Sequence, residues 1–388
     1  MTSIAAQWPD PWSLPEFPWD RLEPYRVRAP ARGLIDLSIG TPVDATPDIV
    51  QGALRDASDA HGYPTVWGTP ELRDAAAGWL RRCHGVQAIP DAILPTIGSK
   101  ELVAALPFQL GLTDRDVISI PAIAYPTYDI GARIAHAGVV LADGVEELEA
   151  ARVRVDAAGR SLRMVWLNSP SNPTGAVLSK DELRDIVTWG RTHGILIVND
   201  ECYIELGWDV TPISMLHPDV CGTGADAHDG LLVVHSLSKR SNLAGYRGAF
   251  ITGDAALIKR LLEFRKHTGY MVPMPVQCAE TVAYADDAHA VAQRARYARR
   301  RELLRSALGA AGYRVESSHA GLYLWTTRDE DCWITLGRLA DLGILCAPGA
   351  FYGAAGERHV RIALTGTDAD IEEATSRLAD VHGTSSRE

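Results

Sequence analysis

Four short polar clusters in this 388-residue chain each follow an apolar run, and together they hold the residues with the most chemical potential. After the run 231–235 comes S-L-S-K-R-S-N-L-A-G-Y-R-G, which puts Ser236, Ser238, Lys239 and Arg247 on one connection. A lysine amine can form an imine with a carbonyl and, once displaced, can carry a proton. Alone, a lysine at such a position is ordinarily a surface charge, so its company matters. The run 195–198 leads into Asn199, Asp200, Glu201, Cys202 and Tyr203, and the run 164–167 into N-S-P-S-N-P-T-G, where Asn172, Pro173 and Gly175 make a turn. The run 92–96 leads into Gly98, Ser99 and Lys100, which open an apolar helical stretch, 102–110. A helix start after Gly and Ser offers free N–H groups and a positive dipole end to a phosphate. Singly, Asp200 reads as well as a cap and N-P-T-G as a plain turn.

A phosphate seat, an amine, an arginine, an aspartate and a tyrosine at strand ends are what pyridoxal 5'-phosphate requires of a protein. The set Asn172, Asp200, Tyr203, Lys239 and Arg247, in this order and spacing, resembles the signature of class I/II aminotransferases, the fold-type I pyridoxal-phosphate enzymes. The resemblance implies that Lys239 carries the cofactor as an imine and moves the proton of the substrate α-carbon. Asp200 would keep the pyridine nitrogen protonated, so that the ring accepts electrons. Tyr203 and Asn172 would donate to the ring's phenolate oxygen. Gly98, Ser99, Ser236, Ser238 and Arg247 would bind the phosphate, joined by Tyr63 of Y-P-T-V-W-G-T-P-E-L-R reaching across from a second subunit. A homodimer with shared active sites follows. Tyr125 of A-Y-P-T-Y resembles the aromatic that stacks on the cofactor ring; Gly40, Asn172 and Arg361 resemble the group that receives the substrate α-carboxylate, a task suited to arginine. Lys100 departs from the wider family, where a small or uncharged residue is common; its charge either assists the phosphate or faces solvent.

The resemblance spans essentially the whole chain and narrows to actinobacterial-type N-succinyldiaminopimelate aminotransferases of lysine and cell-wall biosynthesis. S-L-P-E-F-P-W-D, D-L-S-I-G-T-P-V-D, D-E-C-Y-I-E-L-G-W-D, R-K-H-T-G-Y-M-V-P-M-P-V-Q, A-G-L-Y-L-W and A-P-G-A-F-Y-G carry it. It implies ping-pong exchange between glutamate/2-oxoglutarate and N-succinyl-LL-2,6-diaminopimelate/N-succinyl-2-amino-6-oxoheptanedioate. The N-terminal aromatics and residues 270–275 are candidates for lining the pocket. Alternatives are an aminotransferase of another amino acid, or a pyridoxal-phosphate lyase or decarboxylase on the same fold, which Lys239 and Asp200 would serve equally.

These clusters need a scaffold that gathers strand ends. Apolar runs at 34–39, 92–96, 117–120, 164–167, 195–198, 231–235 and 249–252 alternate with stretches of helical period, as parallel α/β units do. Ligands of open α/β sheets sit outside the carboxyl ends of the strands. The expected architecture is α/β, fold-type I: an arm over 1–33, a large domain over 34–284 with a mostly parallel seven-stranded sheet flanked by helices, and a smaller α+β domain over 285–388. The arm holds Trp8, Pro9, Pro11, Trp12, Pro15, Phe17, Pro18, Trp19, Pro24 and Pro30, a composition suited to an extended segment docked by its rings.

Formal net charge is -11, so no long-range field favours nucleic acid or an anionic membrane. The basic stretch Arg294, Arg296, Arg299, Arg300, Arg301 and Arg305 reads as a solvated helix face. Six scattered cysteines without a C-x-x-C pair suit reduced thiols in a cytoplasmic protein, and no apolar run suggests a membrane span or leader. Ser236 and Lys239 also fit S-x-x-K of serine acyl-transfer enzymes, but S-D-N and K-T-G are absent. Gly222, Gly224 and Ala227 fit G-x-G-x-x-A in a loop before a strand, the wrong context for a dinucleotide. There is no H-E-x-x-H for a metal, His235 reads as packing at a strand end, and no spare basic helix-turn-helix supports a DNA-binding regulator.

Overall fold

A computed structural model describes Trp12, residues 14–28 and residues 32–385, with side chains to residue 380. Trp8, Pro9, Pro11 and Pro30 of the arm lie outside the described residues. In chain order the strands are β1 (Ile35–Asp36), β2 (Ile93–Ile97), β3 (Asp116–Ile120), β4 (Gly138–Leu141), β5 (Ser161–Asn168), β6 (Leu196–Asp200) and β7 (Leu231–Ser236). They continue with β8 (Gly248–Gly253), β9 (Arg314–Glu316), β10 (Tyr323–Thr327), β11 (Ile344–Leu345), β12 (Ala347–Pro348) and β13 (His359–Ala363).

The main sheet has seven strands in the order β2-β8-β7-β6-β5-β3-β4. β8 is antiparallel to both neighbours and every other pairing is parallel. All strands but β8 therefore point one way, and their carboxyl ends share an edge. The reversal of β8 matters most there, because its first residue, Gly248, pairs with Ile97 at the end of β2, and Ala249 pairs with Ser236 at the end of β7. Arg247, just before β8, thus reaches the same edge from the opposite chain direction.

The seven strands are not the seven expected from the sequence. The 34–39 run shortens to β1, which pairs in parallel with β11 and leaves the main sheet. Its place is taken by β4, a half-buried edge strand whose G-V-V-L was not read as a strand. An apolar run signals that a segment is buried, not which partner buries it. Ile35 and Leu37 pack instead with residues of 297–378, around the four-stranded antiparallel sheet β12-β13-β10-β9. Helices cover both faces of the main sheet: Trp79, Leu80, Leu183, Ile186 and Val187 fill one side, Leu102, Leu106, Ile258 and Leu261 the other.

Two further expectations change. Among the described residues of the arm, 18–26 are not extended: Pro18–Leu22 is a 3₁₀ turn and Glu23–Arg26 a single α turn, both with proline at a helix start, where its missing N–H costs nothing. Nor is the arginine stretch simply a solvated face. In the helix Ala288–Ala310, Arg300 and Arg301 are buried; Arg300 is held by Asp44 at 2.6 and 2.8 Å and Asp368 at 2.8 Å, and Arg301 by Asp209 at 2.7 Å. All six cysteines are free thiols, no helix is long and apolar enough to cross a membrane, and no metal-ligand cluster occurs among the described residues.

Behind the sheet, the His84 and His235 rings both meet the Trp79 ring edge-on, at 4.7 and 5.1 Å, and lie nearly parallel to each other at 6.4 Å; neither Nε2 has a hydrogen-bond partner among the described residues. Burial pushes the His84 pKa down to about 4 and that of His235 well below its ordinary value. Between these values and the unfolded value of about 6.5, the unfolded chain binds more protons than the folded one. Both histidines therefore withdraw stability as pH falls from about 6.5 toward 4. Replacing His84 with Gln is expected to flatten the pH dependence of unfolding by up to about 1.4 kcal/mol per pH unit, one proton's worth, between those limits. Denaturant titrations of both proteins at pH 7 and 5 check this; parallel changes with pH would contradict it.

Candidate active site

Lys239 lies in the single helical turn Leu237–Arg240 directly after β7. Ser236 caps this turn, accepting the Ser238 N–H at 3.1 Å and donating to the Ser238 hydroxyl at 2.9 Å. The Lys239 amine donates to the Gly40 carbonyl, which brings the D-L-S-I-G segment over the sheet edge. Burial lowers the lysine pKa, which favours the neutral, nucleophilic amine.

Two strands along the same edge, at the end of β2, the helix Gly98–Gln109 starts without a side-chain cap, so its first N–H groups remain available to an anion. Gly98 has φ +73°, and a Cβ there would run into the Arg247 guanidinium. Arg247 is itself left-handed at φ 61° and donates to the Ala244 carbonyl at 2.8 Å. Two hydroxyls, an uncapped helix start and an arginine packed against a bare glycine form a cradle suited to a phosphate. Gly98→Ala is expected to displace Arg247 and weaken pyridoxal phosphate binding about ten- to a hundredfold, the worth of one charged hydrogen bond. Titration of the apoprotein with cofactor reads this, and unchanged affinity would remove Gly98 from the cradle.

Asp200 ends β6 beside Asn168 at the end of β5, and Asn168 donates to the Asp200 carbonyl at 2.9 Å. The same Asn168 accepts the Asn172 N–H at 2.7 Å, fixing the turn that contains the cis bonds Ser169-Pro170 and Asn172-Pro173. The Asn172 side chain accepts from Arg361 Nη1 at 2.8 Å, and Arg361 Nη2 donates to the Ser38 carbonyl at 2.6 Å. Arg361 is 2% exposed, lies 3.9 Å from the centre of the Tyr323 ring, and forms no ion pair with an acid among the described residues. Tyr203 and Tyr323 share a hydrogen bond at 3.2 Å, and a Cβ on Gly40 would collide with the Tyr323 hydroxyl. Burial pushes Tyr323 up, but the cations of Arg361 and Lys239 outweigh it and lower its pKa overall.

The structure thus gathers Gly40, Gly98, Asn172, Asp200, Tyr203, Ser236, Ser238, Lys239, Arg247 and Arg361 along one edge. Tyr125, partly buried, stands edge-on to Tyr128 at 5.8 Å. Ser99 is half-buried beside Gly98. Lys100 is exposed, with its amine 5.3 Å from the centre of the Phe17 ring. Tyr63 is 98% exposed and touches nothing of this edge. Tyr270 stands under Arg265, 4.9 Å from its guanidinium. Sequence reasoning missed Tyr323, although A-G-L-Y-L-W contains it, and missed Tyr128, although A-Y-P-T-Y contains it.

One neighbouring arrangement invites a different chemistry. His289 bonds Ser241 Oγ at 2.7 Å through Nε2 and Asp286 at 2.6 Å through Nδ1, the order of a hydrolase relay. Ser241 is wholly buried, so no carbonyl reaches it, and the chain instead ties the turn after Lys239 to the start of the Ala288–Ala310 helix.

An amine, a buried acid and a phosphate cradle at the carboxyl edge of a sheet with this strand order define a pyridoxal-phosphate enzyme of fold type I. The chain belongs to the aminotransferase class I and II family, whose model matches residues 32–378. It is 57% identical to 4-dedimethylamino-4-oxo-anhydrotetracycline transaminase OxyQ of Streptomyces rimosus, over 94% of this chain and 99% of that one. It is 50% identical to the probable aminotransferase Rv1178 of Mycobacterium tuberculosis (94% and 85%) and 31% identical to an LL-diaminopimelate aminotransferase of Dehalococcoides mccartyi (91% and 92%). Among solved structures, an aminotransferase of Neisseria meningitidis superposes with a TM-score of 0.86 at 28% identity, covering 96% of this chain and 98% of that one. The chain is an aminotransferase and uses pyridoxal phosphate, which when bound supplies the electron sink for removing the α-proton of an amino acid.

Proposed function

We propose that the enzyme, with pyridoxal phosphate held at Lys239, transfers the amino group of glutamate to N-succinyl-2-amino-6-oxoheptanedioate, forming N-succinyl-LL-2,6-diaminopimelate. The observation that carries the amino-acid half of this reading is Arg361. A buried guanidinium without an acidic partner is costly, and a substrate α-carboxylate supplies the missing charge in the bidentate geometry arginine favours. Asn172 and the Ser38 carbonyl hold Arg361 in place for it. Lys239 holds and moves the α-proton; Asp200 holds the ring nitrogen; Tyr203 and Asn172 donate to the ring oxygen; Gly98, Ser99, Ser236, Ser238 and Arg247 seat the phosphate. Tyr125 stacks on the ring. In a homodimer, the exposed Tyr63 of each protomer completes the other's phosphate seat. Lys100 lies at the outer side of that seat. We divide the chain into an arm (1–33), a large domain (34–284) and a small domain (285–388), with β1 packed on the small one.

The diaminopimelate assignment is supported by the subfamily segments and by the substrate named for the 31% relative. A second reading has its own support. The 57% relative is named for a 4-oxo-anhydrotetracycline, and the arm here places Trp19 5.5 Å from Phe351 and 5.6 Å from Phe17, an aromatic wall above Arg361 suited to a flat ring system. Half-reactions without a second substrate separate the two. N-succinyl-LL-diaminopimelate, N-acetyl-LL-diaminopimelate and glutamate are each mixed with the cofactor-loaded enzyme, and the amino-loaded form is mixed with the oxo compound of that relative. Conversion by the succinyl compound at least about tenfold faster than by the acetyl one is the expected result. Rapid discharge by the tetracyclic ketone, with no response to the succinyl compound, moves the assignment to the second reading.

A further inference from the structure

The two carboxylate oxygens of Asp200 are held from different layers of the fold. Oδ1 accepts the Cys202 N–H at 3.1 Å from its own connection, whereas Oδ2 accepts the Tyr128 hydroxyl at 3.1 Å from the helix Thr127–Ile134, which follows β3. Tyr128 cannot swing away. It is wholly buried, its ring lies on Trp166 of β5 at 4.9 Å with 21° between planes, and its edge meets Tyr125 at 5.8 Å and 87°. Trp166 is itself 1% exposed. Burial holds the Tyr128 hydroxyl well above its ordinary pKa, so it stays a donor.

This bond has a consequence for the proton that Asp200 faces. Burial raises the proton affinity of Asp200, and the bonds from Cys202 and Tyr128 oppose that rise. A carboxylate with fewer donors would compete harder for a proton shared with a neighbouring base. We propose that Tyr128 is a positioning residue for the cofactor ring nitrogen: its hydroxyl keeps Asp200 ionised and aimed, so that the shared proton stays on the nitrogen. The inference rests on the reading of Asp200 as the partner of that nitrogen. Tyr128 touches the cofactor only through Asp200, and its ring ties the acid to the Tyr125 face at the same time.

Tyr128→Phe removes one oxygen and keeps the ring between Trp166 and Tyr125. In holoenzyme reconstituted with cofactor carrying ¹⁵N in the ring, the nitrogen resonance is expected to move toward its unprotonated position, reflecting a proton affinity of Asp200 about ten- to a hundredfold higher. The kcat for glutamate is expected to fall by a similar factor while KM stays within about twofold. An unmoved resonance overturns the proposal. The substitution is then repeated in an Asp200→Asn background, where it is expected to change neither the resonance nor kcat. An equal loss in both backgrounds marks Tyr128 as mere packing and also overturns it. Normal turnover by Asp200→Asn alone would instead defeat the reading of Asp200, whatever Tyr128 does.

Discussion

A Lys239→Ala protein is expected to fold, to bind pyridoxal phosphate only through the phosphate cradle, and to lose at least about four orders of magnitude in turnover. Loss of a positioned acid–base group alone typically costs 10²–10⁴-fold, and here the covalent attachment goes with it. The fold should survive because the turn Leu237–Arg240 is held by Ser236 and by Arg240, not by the lysine amine. Arg240 pairs with Glu205 and donates to the Ala283 carbonyl at 2.8 Å. The amine's hydrogen bond among the described residues goes to the Gly40 carbonyl, outside the turn. Visible absorbance of the lysine-bound cofactor and a coupled glutamate assay read the two losses. Normal turnover would sink the assignment of Lys239.

The second large effect is expected at Arg361. Arg361→Lys keeps a charge but gives up the planar fork, and the shorter contact set of an ammonium cannot hold Asn172, Ser38 and a substrate carboxylate together. Breaking a buried ionic pair costs about 3–5 kcal/mol, so kcat/KM for glutamate should fall about 10²- to 10⁴-fold. Affinity for the cofactor should change far less, because Arg361 makes no bond to the Ser236–Ser238 turn and reaches the cofactor only through Asn172. A half-reaction with glutamate and a cofactor titration separate the two effects. Equal loss of both would place Arg361 in the scaffold instead of the substrate pocket.

Much of this site was legible because a parallel strand announces its own end. A run of Val, Ile and Leu closed by Asn, Asp, Ser or Gly marks both the strand and the edge it points to, so Asn168, Asp200 and Ser236 fall together once the fold class is chosen. The turn chemistry of N-P-T-G and the glycine start of the 98–109 helix are equally local. Partner choice was not legible. The 34–39 run is as apolar as a sheet strand, yet it pairs with Ile344–Leu345, and the modest G-V-V-L at 138–141 takes the edge position instead. Arg300 and Arg301 read as solvated because their acids, Asp44, Asp368 and Asp209, lie far away in sequence.

By itself, then, the sequence determined the residue types, the α/β class, the strand ends that carry Asp200, Asn172 and Lys239, and the family signature. The first three depend on backbone propensities and spacings within about ten residues, and the signature on the order of such short segments, both of which a linear pattern expresses directly. Only the tertiary structure decided that β8 runs backward and delivers Arg247, and that Tyr323 closes on Gly40 and Tyr203 from the far sheet. It likewise decided that Arg361 is buried without an acid among the described residues and that Tyr128 holds Asp200 from another layer. Each is a contact between residues 70 or more positions apart or a choice of strand direction, and both follow from how the layers bury their apolar faces against one another, which no local pattern encodes.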